Sequence, residues 1–193
     1  MNLVDCKSAF KTLQSGLPII FPTDTLPAIA CLPKFSDIIY KFKKRDRNKP
    51  LILMGSENKH LIDYVHESAK KDYENIASKY WPGALTMVIP SSEKEAEILT
   101  SPDNTLGLRI PNSYMAQSLI RETGPLLTSS ANISGIEGSI TVEGIAFDFP
   151  SVKILCPIPW GKSSGRASTI ISWEKSRNWR LIREGDVLVR ELH

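Results

Sequence analysis

Short apolar runs, each closed by proline, glycine or a polar cluster, recur along the chain. "LPIIF" from Leu17, "PLILMG" from Pro50, "ALTMVIP" from Ala84 and "TLGLRIP" from Thr105 are four of them. "PLLTSS" from Pro125, "VKILC" from Val152, "STIISW" from Ser168 and "WRLIRE" from Trp179 are four more. Each has strand length and predicts a strand; "LPIIF" and "PLLTSS" read as buried ones. Between them the period lengthens. "DCKSAFKTLQSG" predicts a helix capped by Asp5 and ended by Gly16. Ser36 is placed to cap "DIIYKFKKR", where Ile38, Ile39 and Phe42 form a helical apolar face and Asn48 and Pro50 end the helix. "SAKKDYENIASKYW" repeats the pattern through Tyr73, Ile76, Ala77 and Tyr80. "SYMAQSLIRETG" is a helix stopped by Gly124, "VEGIAFDF" a shorter one, and "DVLVREL" a last helix or strand.

Strands alternate with helices for most of the length, and crowd together near the end. That order predicts an α/β fold with a mixed, largely parallel sheet flanked by helices. With 193 residues, no internal repeat and no long linker, the expectation is one domain over 1–193. In such folds ligands sit at the carboxyl ends of strands. That expectation gathers "PTDT", "RIP" and "SSANISG" at one rim.

Composition narrows the function only by exclusion. Apolar residues are 41% and charged residues 23%, with a formal charge of +3, which is too mild to argue for nucleic acid alone. No apolar run nears the roughly 20 residues of a membrane span, and "MNLVDCKSAFK" lacks the apolar core of a signal peptide. Cys6, Cys31 and Cys156 form neither CxxC nor a disulfide framework, which fits a reducing cytoplasm. His60, His66 and His193 give no zinc spacing, and no Ser-His-Asp order or carboxylate pair stands out, so no metal ligand is assigned.

The conspicuous groups are cations and hydroxyls. "KFKKRDRNKPL" packs Lys41, Lys43, Lys44, Arg45, Arg47 and Lys49 into nine residues with Asp46 as the only acid. It reads either as a solvated helix end or as a polyphosphate clamp. "SSANISG" reads either as a Ser/Asn turn or as a small-residue cradle whose N–H groups meet an anion; no Walker sequence is present. In "FPTDTLP", Thr23 and Thr25 flank Asp24 between prolines, a rigid loop with hydroxyls or a plain turn. Arg109 lies in an otherwise apolar strand and needs either a buried acid or a ligand carboxylate. "GKSSGRAST" offers Lys162 and Arg166 on a second anion loop or a mobile connection, and "WPGALT" a turn that packs the Trp81 indole. This inventory suits binding an anionic substrate and stabilising charge more than shuttling protons.

Seven segments in order carry a resemblance: "PTDT", Lys43-x-Arg45 followed by Pro50-Leu51, "WPGALT", "LGLRIP", "TSSANISG", "ASTII" and "LIREG". Together, from about Leu17 to Gly185, they resemble the YrdC/TsaC family of threonylcarbamoyl-AMP synthases, in its short single-domain form. The resemblance implies a twisted mixed sheet with a large, open, positively charged cavity. It implies that L-threonine, bicarbonate or CO2, and ATP give threonylcarbamoyl-adenylate and pyrophosphate. Downstream proteins then transfer the threonylcarbamoyl group to tRNA. By motif, Lys43 and Arg45 are the catalytic cations, and with Arg47, Thr105, Ser130, Asn132 and Arg183 they hold ATP. Thr23, Thr25, Arg109, Thr128 and Ser168 surround threonine, Arg109 through its carboxylate. Mg2+ is expected to ride on the ATP phosphates. Three positions depart from the family pattern: Pro27 stands for an aromatic residue, Ala28 for glycine and Met54 for histidine. Two other readings remain: a non-catalytic module that binds tRNA or double-stranded RNA, and a nucleotide-binding paralogue with a different acyl substrate.

Overall fold

The structure is a computed structural model, and residues 1–92, 101, 103–174 and 178–189 are described. Ten strands form one sheet: β1 (Leu3–Val4), β2 (Ile19–Phe21), β3 (Ala28–Cys31), β4 (Ile52–Met54), β5 (Leu85–Pro90), β6 (Thr105–Arg109), β7 (Leu126–Ser130), β8 (Lys153–Leu155), β9 (Thr169–Glu174) and β10 (Asn178–Arg183). Among the described residues five α-helices flank it: α1 (Cys6–Gln14), α2 (Asp37–Lys43), α3 (Lys70–Tyr80), α4 (Tyr114–Thr123) and α5 (Val142–Asp148). The spatial order is β1-β8-β2-β3-β7-β4-β6-β5-β9-β10. Pairs β1/β8, β8/β2, β4/β6 and β5/β9 are parallel and the other neighbours antiparallel, so the sheet is mixed as expected.

Each strand sends alternate residues to opposite faces, which divides the core in two. Ile29, Leu53, Leu108 and Leu127 pack with Ile39 of α2, Tyr73 and Ile76 of α3 and Ile145 of α5. Ala28, Ala30, Met54 and Leu126 pack with Ala9 and Leu13 of α1 and Ala116, Leu119 and Ile120 of α4.

Asp5 caps α1 by accepting from the Ser8 N–H at 2.7 Å. Ser36 does not cap α2. A 3-10 turn over Pro33–Phe35 runs straight into that helix, leaving Ser36 in helical geometry with no side-chain cap. Nor does α2 run on to Asn48: Lys44 turns left-handed (φ 50°) and the Arg45 N–H closes onto Tyr40 O. Strands β1 and β3 are not among the predicted strands. Of "DVLVREL", Asp186–Val189 form no helix or strand, and 190–192 lie outside the described residues.

The single-rim expectation also needs correcting. β2 and β7 run one way and β4 and β6 the other, so "RIP" leaves the sheet at the opposite edge from "PTDT" and "SSANISG". What brings the three together is the β2–β3 loop, which reaches across to the end of β6.

Candidate active site

The strand register puts Thr128, Ile52, Gly107 and Val88 in one row across β7, β4, β6 and β5. The period of two then carries Ser130, Thr105, Arg109 and Thr86 onto the same face. Gly107 confirms the row: a Cβ built there would meet Ile52 Cγ1 at 3.5 Å and Thr86 Cγ2 at 3.7 Å. The result is a floor that dips at Gly107 and is bordered by hydroxyls, with Arg109 at one end and the "SSAN" turn at the other.

Arg109 is 3% exposed. Its Nη2 meets Asp24 Oδ1 at 2.7 Å, its Nη1 donates to Thr25 Oγ1 at 2.8 Å, and its Nε donates to Gly83 O at 3.1 Å. The buried-acid alternative therefore holds: Asp24, not a ligand, is the first answer to this charge. Three of the five guanidinium N–H groups are spent, and the other two have no partner among the described residues. Burial pushes the guanidinium below its ordinary value while Asp24 opposes the shift. Asp24 also accepts from Asn112 N at 3.0 Å, and its carbonyl accepts from Ser164 N at 2.9 Å. That last bond ties "GKSSGRAST" to the site, though Lys162 and Arg166 themselves are exposed. Behind Thr25, Thr23 Oγ1 lies 3.0 Å from Thr25 Oγ1 and donates to Leu26 O at 2.7 Å. Both threonines are buried, as is Thr128, whose hydroxyl donates to Ile52 O at 2.9 Å. Ser168 Oγ lies 2.9 Å from Thr86 Oγ1.

The cationic end differs from expectation in three ways. Lys43 is not a surface clamp. It is 1% exposed, and its Nζ donates to Ser130 O and to Asn132 Oδ1. Its own carbonyl accepts from Ser134 N at 3.0 Å, so one lysine holds the "SSANISG" turn from both sides. No carboxylate pairs with it among the described residues. Burial, with the Arg45 cation adding, lowers its pKa to about 7. Arg47 points away: it is exposed, paired with Asp37 at 2.7 Å and set over the Tyr40 ring. Thr105 shares the face of Arg109 but lies at the other end of β6, near Ser101 Oγ at 3.2 Å. Only a ligand that spans the floor touches both.

Arg45 is half-buried and donates from Nε to Lys49 O at 2.9 Å and from Nη2 to Pro50 O at 3.0 Å. Arg183 reaches back from β10 to Ser168 O at 2.8 Å. Desolvation, then the Arg45 charge, holds Arg183 below its ordinary value. Lys43, Arg45, Arg183 and Arg109 thus sense one another in a chain, answered by Asp24 and more weakly by Asp186. Ser130 Oγ donates to Asn132 Oδ1 at 2.5 Å, and Asn132 Nδ2 closes the turn onto Ile136 O at 2.7 Å.

Gly185 of "LIREG" has a steric duty. A Cβ there would fall 2.4 Å from Ala167 O and Thr169 N, atoms of the backbone that carries Ser168. Gly185→Ala is expected to cost about 3 kcal/mol or more. Urea unfolding checks this, and a midpoint unchanged from the parent contradicts it.

Two contributors were missed. In the sequence Asp24 stands only as the residue between two threonines; the need of Arg109 for an acid is the signal that points to it. Thr86 was hidden in an apolar strand, although alternation along "ALTMVIP" puts it opposite the core side chains Leu85 and Met87.

Residues 11–185 match the model of the Sua5_yciO_yrdC family, whose description reads "Telomere recombination". The chain belongs to the Sua5/YciO/YrdC family. A relative from Buchnera aphidicola, named threonylcarbamoyl-AMP synthase, is 31% identical over 192 residues, 96% of this chain and 100% of its own length. A second of that name, from Yersinia enterocolitica, is 32% identical over 83% of this chain and 88% of its own. Among solved structures, Pyrococcus abyssi Sua5 complexed with L-threonine superposes with a TM-score of 0.84 at 26% identity. That match covers 96% of this chain and 58% of the longer Pyrococcus protein.

Proposed function

We propose that this Sua5/YciO/YrdC-family chain is an L-threonylcarbamoyladenylate synthase, joining L-threonine, bicarbonate or CO2, and ATP with loss of pyrophosphate. The observation that carries the reading is the shared face: a buried Arg109 bonded to Asp24 and Thr25, with the hydroxyls of Thr128 and Ser168 on the same floor, and one strand length away a cationic end with no carboxylate partner among the described residues. The first fits an α-amino acid, whose carboxylate takes the spare Arg109 N–H groups while hydroxyls meet its polar atoms. The second fits a polyphosphate. The names of the relatives and the threonine bound by Pyrococcus Sua5 support the same substrates.

The threonine amine, once deprotonated, adds to CO2 through a new N–C bond and gives up a second proton to solvent, forming a carbamate. A carbamate oxygen attacks the α-phosphorus, and the bond to the β,γ-diphosphate breaks. Arg109 and Asp24 fix the amino acid, so that the attack becomes effectively unimolecular. Arg45, Arg183 and Lys43 offset the charge of the approaching carbamate and the departing pyrophosphate. Among the described residues no three His, Cys, Asp or Glu side chains gather to hold a metal. Magnesium would therefore come on the ATP phosphates, and no step is assigned to it. Transfer to tRNA by downstream proteins would follow.

Arg45→Ala is expected to lower turnover at least about tenfold, and Arg47→Ala to stay within about threefold, because only Arg45 sits at the floor. Steady-state pyrophosphate assays separate the two; equal losses would return Arg47 to the clamp.

A second reading keeps the adenylate chemistry and changes the acyl group. It is favoured by a cavity of about 520 Å3 beside Thr23, lined by Pro27, Ile140, Ile158 and Trp160. Mass spectrometry of the product with an amino-acid panel decides between them. A threonylcarbamoyl-adenylate mass, with bulkier amino acids inert, supports the first reading. Preference for a bulkier amino acid supports the second.

A further inference from the structure

A second cavity, of about 500 Å3, lies outside the carboxyl ends of the parallel neighbours β4 and β6, between α3 and α4. Crevices at that position are where α/β sheets hold ligands. Its apolar wall is Ala77, Trp81, Pro82 and Ile110. The indole is fixed edge-to-face against Tyr73 at 5.7 Å, and its Nε1 is spent on Leu85 O at 2.7 Å, so it offers the cavity only carbon and π surface. Part of the polar lining is spent internally: Gln117 Nε2 donates to Pro111 O at 2.8 Å and its Oε1 accepts from Arg121 at 3.3 Å, Ser78 Oγ donates to Asn75 O at 2.9 Å, and Asn58 Oδ1 takes the Tyr73 hydroxyl. The charge of the lining is acidic. Glu57 and Glu74 are the only charged groups among the ten lining residues, and none is basic. Glu57 is shared with Lys59 and Arg121, whereas Glu74 makes no direct ion pair among the described residues and feels the Lys70 charge from a distance.

We propose that this cavity is a binding site for a small organic cation with a flat apolar body, such as an amidinium, guanidinium or aryl ammonium compound. The body lies against Trp81, Pro82 and Ile110, where a cation gains from the aromatic ring, and the donors meet Glu74. The site is distinct from the Arg109 face but shares its backbone. Gly83, next to Pro82, accepts from Arg109 Nε and donates to Ile110 O at 2.9 Å, and Gly55, next to Ser56, donates to Arg109 O at 3.0 Å. The proposal does not depend on which acyl substrate that face takes.

Benzamidine is the probe, with neutral benzamide and anionic benzoate as controls, titrated by calorimetry and by amide chemical shifts. The expected result is saturable one-to-one binding of benzamidine with a dissociation constant of about 1 mM or tighter. Benzamide binds at least about tenfold more weakly, benzoate does not bind, and Glu74→Gln weakens benzamidine at least about fivefold. Shifts map to Trp81 and Ile110. Glu74 is on the surface of α3, so its variant keeps the fold. Equal binding of benzamide, unchanged affinity in both Glu57→Gln and Glu74→Gln, or shifts centred on Asp24 instead would overturn the assignment.

Discussion

Arg109→Met is expected to raise the threonine KM at least about 100-fold while ATP affinity stays within about threefold. The variant also loses about 3 kcal/mol of stability. The two effects have one origin. Arg109 is buried, and its removal strands Asp24, which is 17% exposed and among the described residues retains the Asn112 N–H alone. Breaking a buried pair from one side costs more than deleting both partners. Asp24→Asn combined with Arg109→Met therefore regains much of the stability and none of the threonine-dependent rate. Urea unfolding beside steady-state kinetics reads both. If the double variant recovers activity with stability, Arg109 is a structural cation and the amino-acid assignment fails.

Lys43→Met is expected to act with opposite signs: turnover falls at least about tenfold, yet stability near pH 6 rises by about 1–3 kcal/mol. The folded pKa is lowered from 10.5 to about 7 by burial and by Arg45. Between those values the unfolded chain binds more protons than the folded one, so wild-type stability climbs as pH rises from about 7 towards 10.5. Below pH 7 the penalty of the buried ammonium is complete. The full shift corresponds to an upper limit of about 5 kcal/mol, from which the lost bonds to Ser130 O and Asn132 subtract. The advantage of Lys43→Met is thus largest below pH 7 and fades as pH approaches 10. Unfolding curves at several pH values test it; a variant less stable at every pH makes Lys43 an ordinary strut. A polyphosphate supplies the missing counter-charge, so nucleotide binding near pH 7.5 is also expected to take up protons, measurable by calorimetry in buffers of differing ionisation enthalpy.

What the sequence reveals follows from what is local. Apolar runs gave eight of the strands, and Asp5 and Gly124 marked helix ends, because period and capping are properties of neighbouring residues. Strand β3 was lost because its partners, β2 and β7, lie elsewhere in the chain. Strand directions could not be read at all, which is why "RIP" was placed at the wrong edge. The site residues were legible as types: cations, hydroxyls and one arginine in an apolar strand. Their orientation was not. Lys43 and Arg47 belong to one basic run, yet a left-handed turn at Lys44 leaves Lys43 buried against Ser130 and Arg47 on the surface with Asp37.

The central claim is that one sheet face holds an amino acid at Arg109 and a nucleotide at Lys43, Arg45 and Arg183. Pyrophosphate release, with ATP present and L-threonine and bicarbonate each supplied or omitted, tests it most directly. The account predicts release only when both are present, lost in Arg109→Met and kept in Arg47→Ala. Release that ignores threonine, or no release despite saturating ATP, threonine and bicarbonate, would contradict it.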